Sequence, residues 1–262
     1  MIAYPNINPI AIDLGFVSIH WYGISYVIGV LVAWVLLRYR VSHSQLFLDN
    51  EEIADLVFFA MLGIIIGGRL GSIIFYNFSY YLAHPLEIFF IHKGGMSFHG
   101  GLIGVIFSVW LFSCKKNISF FRITDFIAPV IPIGIGCGRI GNFINGELWG
   151  SPSNLPWAMI FPNSAAGGVA RHPSQLYEAF FEGLVLFIIL WWFSRIPRPV
   201  KATSALFLIF YGVFRFLVEF VRMPDQHIGY IAFNWLTMGQ LLTMPMILLG
   251  IIFLIMAYQA EN

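Results

Sequence analysis

Charged residues are scarce in this chain. Of its 262 residues 10% are Asp, Glu, Lys or Arg and 59% are hydrophobic, whereas a soluble domain carries about 25% charged residues. That balance excludes an ordinary water-solvated globule and makes the lipid bilayer the implied solvent. With 14 basic and 13 acidic residues the net charge is +1. The basic residues are dispersed among apolar runs, which argues against a polyanion-binding surface, and no nucleic-acid partner is expected. Cysteine is scarcer still. Cys114 and Cys137 have no Cys or His at metal-ligand spacing, so neither a disulfide nor a metal site is expected, and no cofactor is implied. Cys137 lies in an apolar run that suppresses its thiolate, and a packing role is the simpler reading than a nucleophile. The N-terminus, MIAYPNINPIAIDLG, lacks a basic n-region and holds two prolines and Asp13. The first span is therefore expected to be retained. Tandem repeats and low-complexity tracts are also lacking.

What the chain does have is long apolar runs. About 20 residues at a rise of 1.5 Å cross the hydrocarbon core. Seven candidates meet that length, at roughly 19–38, 53–76, 95–113, 123–143, 175–194, 203–222 and 236–258. The expected fold class is all-α: one polytopic bundle domain over residues 1–262, with the loop 145–173 forming a small cap. Loops then alternate sides. Arg38, Arg40, Lys115, Lys116, Arg122, Arg195, Arg198 and Lys201 fall on one side, and Lys93, Arg171 and Arg222 on the other. The richer side is read as cytoplasmic, which puts the N-terminus outside and the C-terminus inside. Gly63, Gly67 and Gly71 recur at four-residue spacing, as in close helix packing. The paired glycines around Met96, Ser97, Phe98 and His99 suggest a broken or re-entrant helix start. Trp149, Trp157, Met159 and Phe161 in the outer loop suggest aromatics at headgroup level. Pro173, Gln175 and Glu178 read as the start of the fifth span.

The polar residues within these runs carry the chemistry. An ionised group facing lipid costs roughly 2.5–3.5 kcal/mol on insertion scales, so Arg139, at the end of the fourth run, should face a cavity, a partner or an anionic ligand. In the sixth run Tyr211, Arg215, Glu219 and Arg222 follow at steps of four, four and three, which puts them on one helical face turned to the protein interior. A structural Arg215–Glu219 pair is the simpler alternative. Setting Arg69, Arg139, Arg215 and Arg222 against Glu147 and Glu219 leaves a cationic surplus, which an anion such as a lipid phosphate would satisfy. Arginine suits that role because its planar fork pairs with two phosphate oxygens at once. His99 is a candidate base by its imidazole chemistry, although a lone histidine is more often structural. Tyr22, Asn142 and Asn145 offer uncharged hydrogen bonds, and Gly150 permits either a tight turn or a backbone close to a ligand.

Five motifs, HWYG at 20–23, GGMSFHGGLIG at 94–104, GRIGNFINGELWG at 138–150, RHPSQLYE at 171–178 and YGVFRFLVEFVRMPD at 211–225, resemble those of the bacterial prolipoprotein diacylglyceryl transferases. The resemblance spans nearly the whole chain, with a shorter loop between Trp149 and His172 than in family versions that carry a larger external insertion. It implies a multi-pass enzyme of the bacterial inner membrane. Such an enzyme moves the diacylglyceryl group of phosphatidylglycerol onto the lipobox cysteine of a preprolipoprotein signal peptide, forming a thioether and releasing glycerol phosphate. Family positions carry over onto Tyr22, His99, Arg139, Asn142, Glu147, Gly150, Arg215 and Glu219. Taken with the residue chemistry, the candidate catalytic set is His99, Arg139, Arg215, Glu219 and Tyr22. The candidate substrate-binding set is Arg139, Asn142, Asn145, Glu147, Gly150, Arg215, Arg222 and Arg69. The base is open between His99 and a glutamate, Glu219 or Glu147.

Two other classes compete: a transporter of anionic solutes, which would favour repeated halves and charges at the midplane, and a lipid-binding scaffold without catalysis. A bidentate grip by Arg139 gives a direct test. Arg139→Lys keeps the charge and loses the fork, and activity is expected to fall more than about tenfold, the cost of one lost charge-assisted hydrogen bond. Transfer at the wild-type rate in this variant would count against the fork.

Overall fold

The computed structural model describes residues 2–5, 7–15, 18–42, 48–90, 94–224 and 229–260. Lys93 of the charge tally and Asp225 of the last motif lie outside them. Among the described residues six helical stretches are long and apolar enough to cross a membrane: α1 (Trp21–Val41), α2 (Asn50–Phe75), α4 (Phe98–Lys116), the composite Ser174–Phe193, α9 (Ala202–Glu219) and α10 (Met238–Gln259). Between α2 and α4 lies the short α3 (Phe78–Ala83). The expected continuous fourth run is instead a bent pair, α5 (Phe120–Ile127) and α6 (Ile131–Ile144), meeting at 50°. Pro129 and Pro132 flank the bend, and each removes a backbone donor the helix would need. If the pair is one span there are seven, as the run lengths require, and the protein is an all-α polytopic membrane protein.

Residues 37–124 form one compact unit, and residues 1–36 with 125–262 form another. In the first, α2 opens with a capping box in which Asp49 accepts from the Glu51 and Glu52 amides and Glu52 accepts from the Asp49 amide. Glu52 also pairs with Lys116 at the last turn of α4. The glycine stripe packs α2 on α4. A Cβ on Gly67 would come within 2.8 Å of Gly104 Cα, and one on Gly71 within 2.7 Å of Gly100 Cα. Gly94 and Gly95 take φ of +83° and +77°, so the chain turns before α4 begins behind its Ser97 cap. The glycine pair therefore makes the break expected there.

In the second unit, a Cβ on Gly183 would meet Gly136 Cα on α6 at 2.8 Å. The fifth span is not a uniform helix. α7 (Ser174–Glu178) passes through a π segment, Ala179–Val185, before α8 (Leu186–Phe193). π segments in α-helices occur frequently at functional sites. Asp125 caps α9 from another helix, accepting from the Lys201 and Ser204 amides at 2.6 and 2.8 Å.

A small sheet the apolar pattern does not announce joins β1 (Ile2–Ala3), near the N-terminus, to β4 (Met159–Ile160) and β5 (Ala170–Arg171) in the loop after α6, in the order β1-β4-β5. β2 (Ile10–Asp13) and β3 (Ser18–His20) form a separate antiparallel pair. Phe161 is 2% exposed and packs with Phe143 and Ala166, against Tyr4, Trp149 and Met159. The loop's aromatics are thus divided: Phe161 fills a small core of its own, and Trp157 is exposed. Burial pushes the Tyr4 hydroxyl above its ordinary range and holds the His172 imidazole below its own.

Gly71→Val forces a side chain into the backbone of Gly100, which has no rotamer to yield. The protein in detergent is expected to lose about 1–3 kcal/mol of stability, read as a lower melting temperature. An unchanged melting temperature would mean that α2 and α4 do not rely on this approach.

Candidate active site

Glu178, the last residue of α7, has no solvent exposure and gathers three arginines. Arg139 from α6 pairs through Nε with Glu178 Oε2 at 2.6 Å. Arg215 Nη1 donates to the same oxygen at 3.0 Å, and Arg222 Nη1 donates to Oε1 at 3.0 Å. Glu219 completes the ring. It pairs with Arg215 Nη2 at 3.0 Å and Arg222 Nε at 3.4 Å, and it accepts from Thr237 Oγ1 at 3.1 Å. Glu182, one helical turn beyond Glu178 and equally buried, stands 3.9 Å from Arg215 Nη1. Of the single helical face expected, Arg215 and Glu219 stand on α9, whereas Arg222 lies just past the helix end, bridged to Gly150, and still reaches the cluster, to which α6 and the fifth span also contribute.

The tally of acids is corrected. With Glu178 and Glu182 included, three arginines meet three acids. The three arginines do not spend their donors equally. Both terminal nitrogens of Arg215 are engaged. Arg139 is held through Nε, and its Nη1 and Nη2 have no partner among the described residues, with the side chain 21% exposed. Sequence reasoning took Glu178 for a helix start and passed over Glu182. The signal was available, since two carboxylates four residues apart in an apolar run call for cationic partners just as the arginines call for anionic ones.

Arg69 is a second correction. It is 5% exposed, in the unit of residues 37–124, and its donors go to carbonyls: Nε to Ile88 at 2.8 Å, Nη1 to Gly94 at 2.7 Å and Gly95 at 3.3 Å, and Nη2 to Glu87 and Phe90. The guanidinium also lies over the Tyr81 ring at 5.0 Å. Arg69 ties the loop before α4 to α2 and keeps no fork for a ligand. His99 lies in the same unit, exposed in the first turn of α4 and edge-on to Phe98 at 5.6 Å.

The central motif forms a second constellation. Asn142 Nδ2 donates to Glu147 Oε1 at 2.8 Å and Asn145 Nδ2 to the same oxygen at 3.4 Å, so the two amides hold the glutamate. Tyr22 is within electrostatic reach of Glu147 and Asn142, and its hydroxyl meets that of Tyr26 at 3.1 Å. Leu148 has φ of +58°, a strained value for a branched residue. What holds it is on the fifth span: Ser174 Oγ donates to Leu148 O at 2.9 Å, and Gln175 donates to Glu147 O. Gly150 turns out to serve close packing of backbones. Its amide donates to His172 O at 2.9 Å, it bridges to Arg222, and a Cβ there would fall 2.7 Å from His172 Cβ. Arg171, which the tally puts in an outer loop, is buried and donates to Ala166 O at 2.8 Å and Gly150 O at 3.2 Å.

An apolar cavity of about 450 Å³ flanks the cluster, lined by Trp157, His172, Tyr177, Phe181, Phe214 and Val218 among others. At its polar edge Trp157 Nε1 donates to Tyr177 Oη at 2.7 Å, and that hydroxyl meets His172 Nδ1 at 3.2 Å.

Comparison with known proteins gives this geometry a context. The sequence profile of the family described as prolipoprotein diacylglyceryl transferase matches residues 9–256. A protein of Methylococcus capsulatus named phosphatidylglycerol–prolipoprotein diacylglyceryl transferase is 58% identical over 264 residues, covering 100% of both chains. Its namesake in Pseudomonas aeruginosa is 53% identical over 100% of this chain and 97% of its own, and that in Pseudomonas fluorescens is 54% identical over 98% and 96%. On coverage and identity together, the chain belongs to the prolipoprotein diacylglyceryl transferase family.

Proposed function

We propose that this protein transfers the diacylglyceryl group of phosphatidylglycerol to the lipobox cysteine thiol of preprolipoproteins, forming a thioether and releasing glycerol phosphate, the first step of lipoprotein maturation. Family membership supports the reaction, and one observation supports the location of the site: Arg139 is pinned through Nε while its terminal nitrogen pair stays unengaged among the described residues. We place the protein in the bacterial inner membrane as one functional domain, with the N-terminus extracytoplasmic and the C-terminus cytoplasmic. The tally of basic residues supports that orientation, since Arg38 and Arg40 end α1 and Lys115 and Lys116 end α4.

In this reading sulfur attacks the glycerol carbon, a new S–C bond forms, and the C–O bond to phosphate breaks with its electron pair staying on the departing oxygen. The thiolate is a soft nucleophile and the phosphate leaves already ionised, so the chief demand is stabilisation of charge on the leaving group. Arg139 meets it with two donors aligned for two phosphate oxygens. Arg215 and Arg222, held by Glu178 and Glu219, supply fixed positive charge in a site of low dielectric. The thiol proton is assigned to His99, with Glu219 or Glu147 as the competing acceptors. Asn142, Asn145 and Tyr22 position Glu147 and contribute hydrogen bonds near the lipid ester groups. The flanking apolar cavity is suited to hydrocarbon.

The direct experiment mixes purified protein in detergent with phosphatidylglycerol and a lipobox peptide and weighs the peptide. A diacylglyceryl increment that requires the peptide's cysteine is expected, and solute flux without that increment would favour a transporter. Within this assay Glu178→Gln is expected to lose most activity, because it leaves three guanidiniums short of a buried partner. Breaking such a pair costs about 3–5 kcal/mol, read as a lower melting temperature in the same variant. Full activity and stability in Glu178→Gln would remove Glu178 from the centre of the site.

A further inference from the structure

Glu182 is the member of the cluster whose charge the geometry does not support. It has no solvent exposure, it lies in the π segment, and its two carboxyl oxygens accept no hydrogen bond among the described residues. One cationic nitrogen comes within 4.0 Å among those residues, Arg215 Nη1 at 3.9 Å, and it already donates to Glu178 Oε2 at 3.0 Å. The titratable and charged groups facing Glu182 are Glu178 on its own span, Arg139 on α6, Tyr211 and Arg215 on α9, and Arg222 in the segment just past the end of α9. Arg215 and Arg222 give their hydrogen bonds to Glu178 and pair with Glu219, Arg139 pairs with Glu178, and Glu178 is itself a like charge one turn away. A buried ionised carboxylate that no donor among the described residues reaches carries a desolvation penalty that a pair at this distance does not repay. A neutral carboxyl carries a far smaller one.

We infer that Glu182 is held as the neutral acid, so that the cluster is a monocation of three guanidiniums and two carboxylates. This rests on the proposed reading of the site, because its consequence is a match in charge. One surplus positive charge suits one phosphodiester monoanion, and the excess belongs to Arg139, whose terminal nitrogens are unengaged among the described residues. The π segment explains how Glu182 comes to be close and yet unpaired. The widened turn shifts the helical register between residues 178 and 185, so the second carboxylate misses the donors that the first one meets. Glu182 thereby sets the cluster's charge without touching the lipid.

Infrared spectroscopy of the purified protein tests the protonation state independently of activity. The wild type is expected to show the C=O stretch of a buried carboxylic acid, shifted slightly in heavy water, and Glu182→Gln to lack that band. Binding of phosphatidylglycerol in mixed micelles, without peptide, tests the consequence. Once the pH is high enough to ionise Glu182, wild-type affinity should fall about tenfold per pH unit. Glu182→Gln, which stays neutral, should not follow that fall. No acid band in the wild type, or a band that survives in Glu182→Gln, would overturn the assignment. A band present with identical pH dependence of binding in both proteins would overturn the charge match. Should Glu182→Gln fail to fold, Glu182→Asp serves instead, with a displaced band expected and an unmoved one contradicting the proposal. Each of these outcomes is distinct from loss of diacylglyceryl transfer, which would bear on the function itself.

Discussion

The bidentate and shared ion pairing of Glu178 is the interaction on which the site depends. Three guanidiniums in an apolar bundle would each be costly alone, and they are tolerable here because one carboxylate with no solvent exposure pairs with all three. The arrangement is not chiefly a source of stability, since buried ion pairs seldom exceed their desolvation cost. Its value is orientation. Arg215 and Arg222 are fixed between Glu178 and Glu219, and Arg139 is fixed through Nε alone. Among the described residues the terminal nitrogens of Arg139 are the donors left unengaged, as the proposed grip on a substrate requires.

The surrounding backbone is shaped to deliver that cluster. The proline bend between α5 and α6 ends the preceding helix and begins the one that carries Arg139. The GELWG turn at the end of α6 bends back through a strained Leu148 and is fastened to Ser174 and Gln175, the residues that lead into Glu178. Gly150 and Gly183 then allow backbones to approach where any side chain would collide. Strain at Leu148 and a π segment at 179–185 are both departures from local preference, and both adjoin the charged cluster. Such departures persist where surrounding contacts over-determine them.

Much of this was legible in the sequence. Six spans, and a seventh if the bent pair counts as one, follow from run length, and the shared side of Arg215 and Glu219 on α9 follows from their spacing, because helical periodicity fixes which residues share a side; Arg222, past the end of α9, lies outside that rule. The packing of α2 on α4 follows from Gly63, Gly67 and Gly71. Less legible were features that depend on tertiary partners. Arg69 looks like a site residue from its depth in an apolar run, yet it is consumed by the carbonyls of residues 87–90, 94 and 95, which no spacing rule reveals. Glu178 is hidden behind a helix-start pattern, and the charge balance fails without it. The π segment has no sequence signal of its own, so the separate fates of Glu178 and Glu182 could not be foreseen.

The central claim is that the terminal nitrogens of Arg139 grip the lipid phosphate, and a structure determined with phosphatidylglycerol bound tests it most directly. The account predicts a phosphate oxygen at about 2.7–2.9 Å from Arg139 Nη1 or Nη2, the range of charge-assisted hydrogen bonds, with Nε still paired to Glu178. A headgroup bound elsewhere, with Arg139 making no contact to it, would contradict the account.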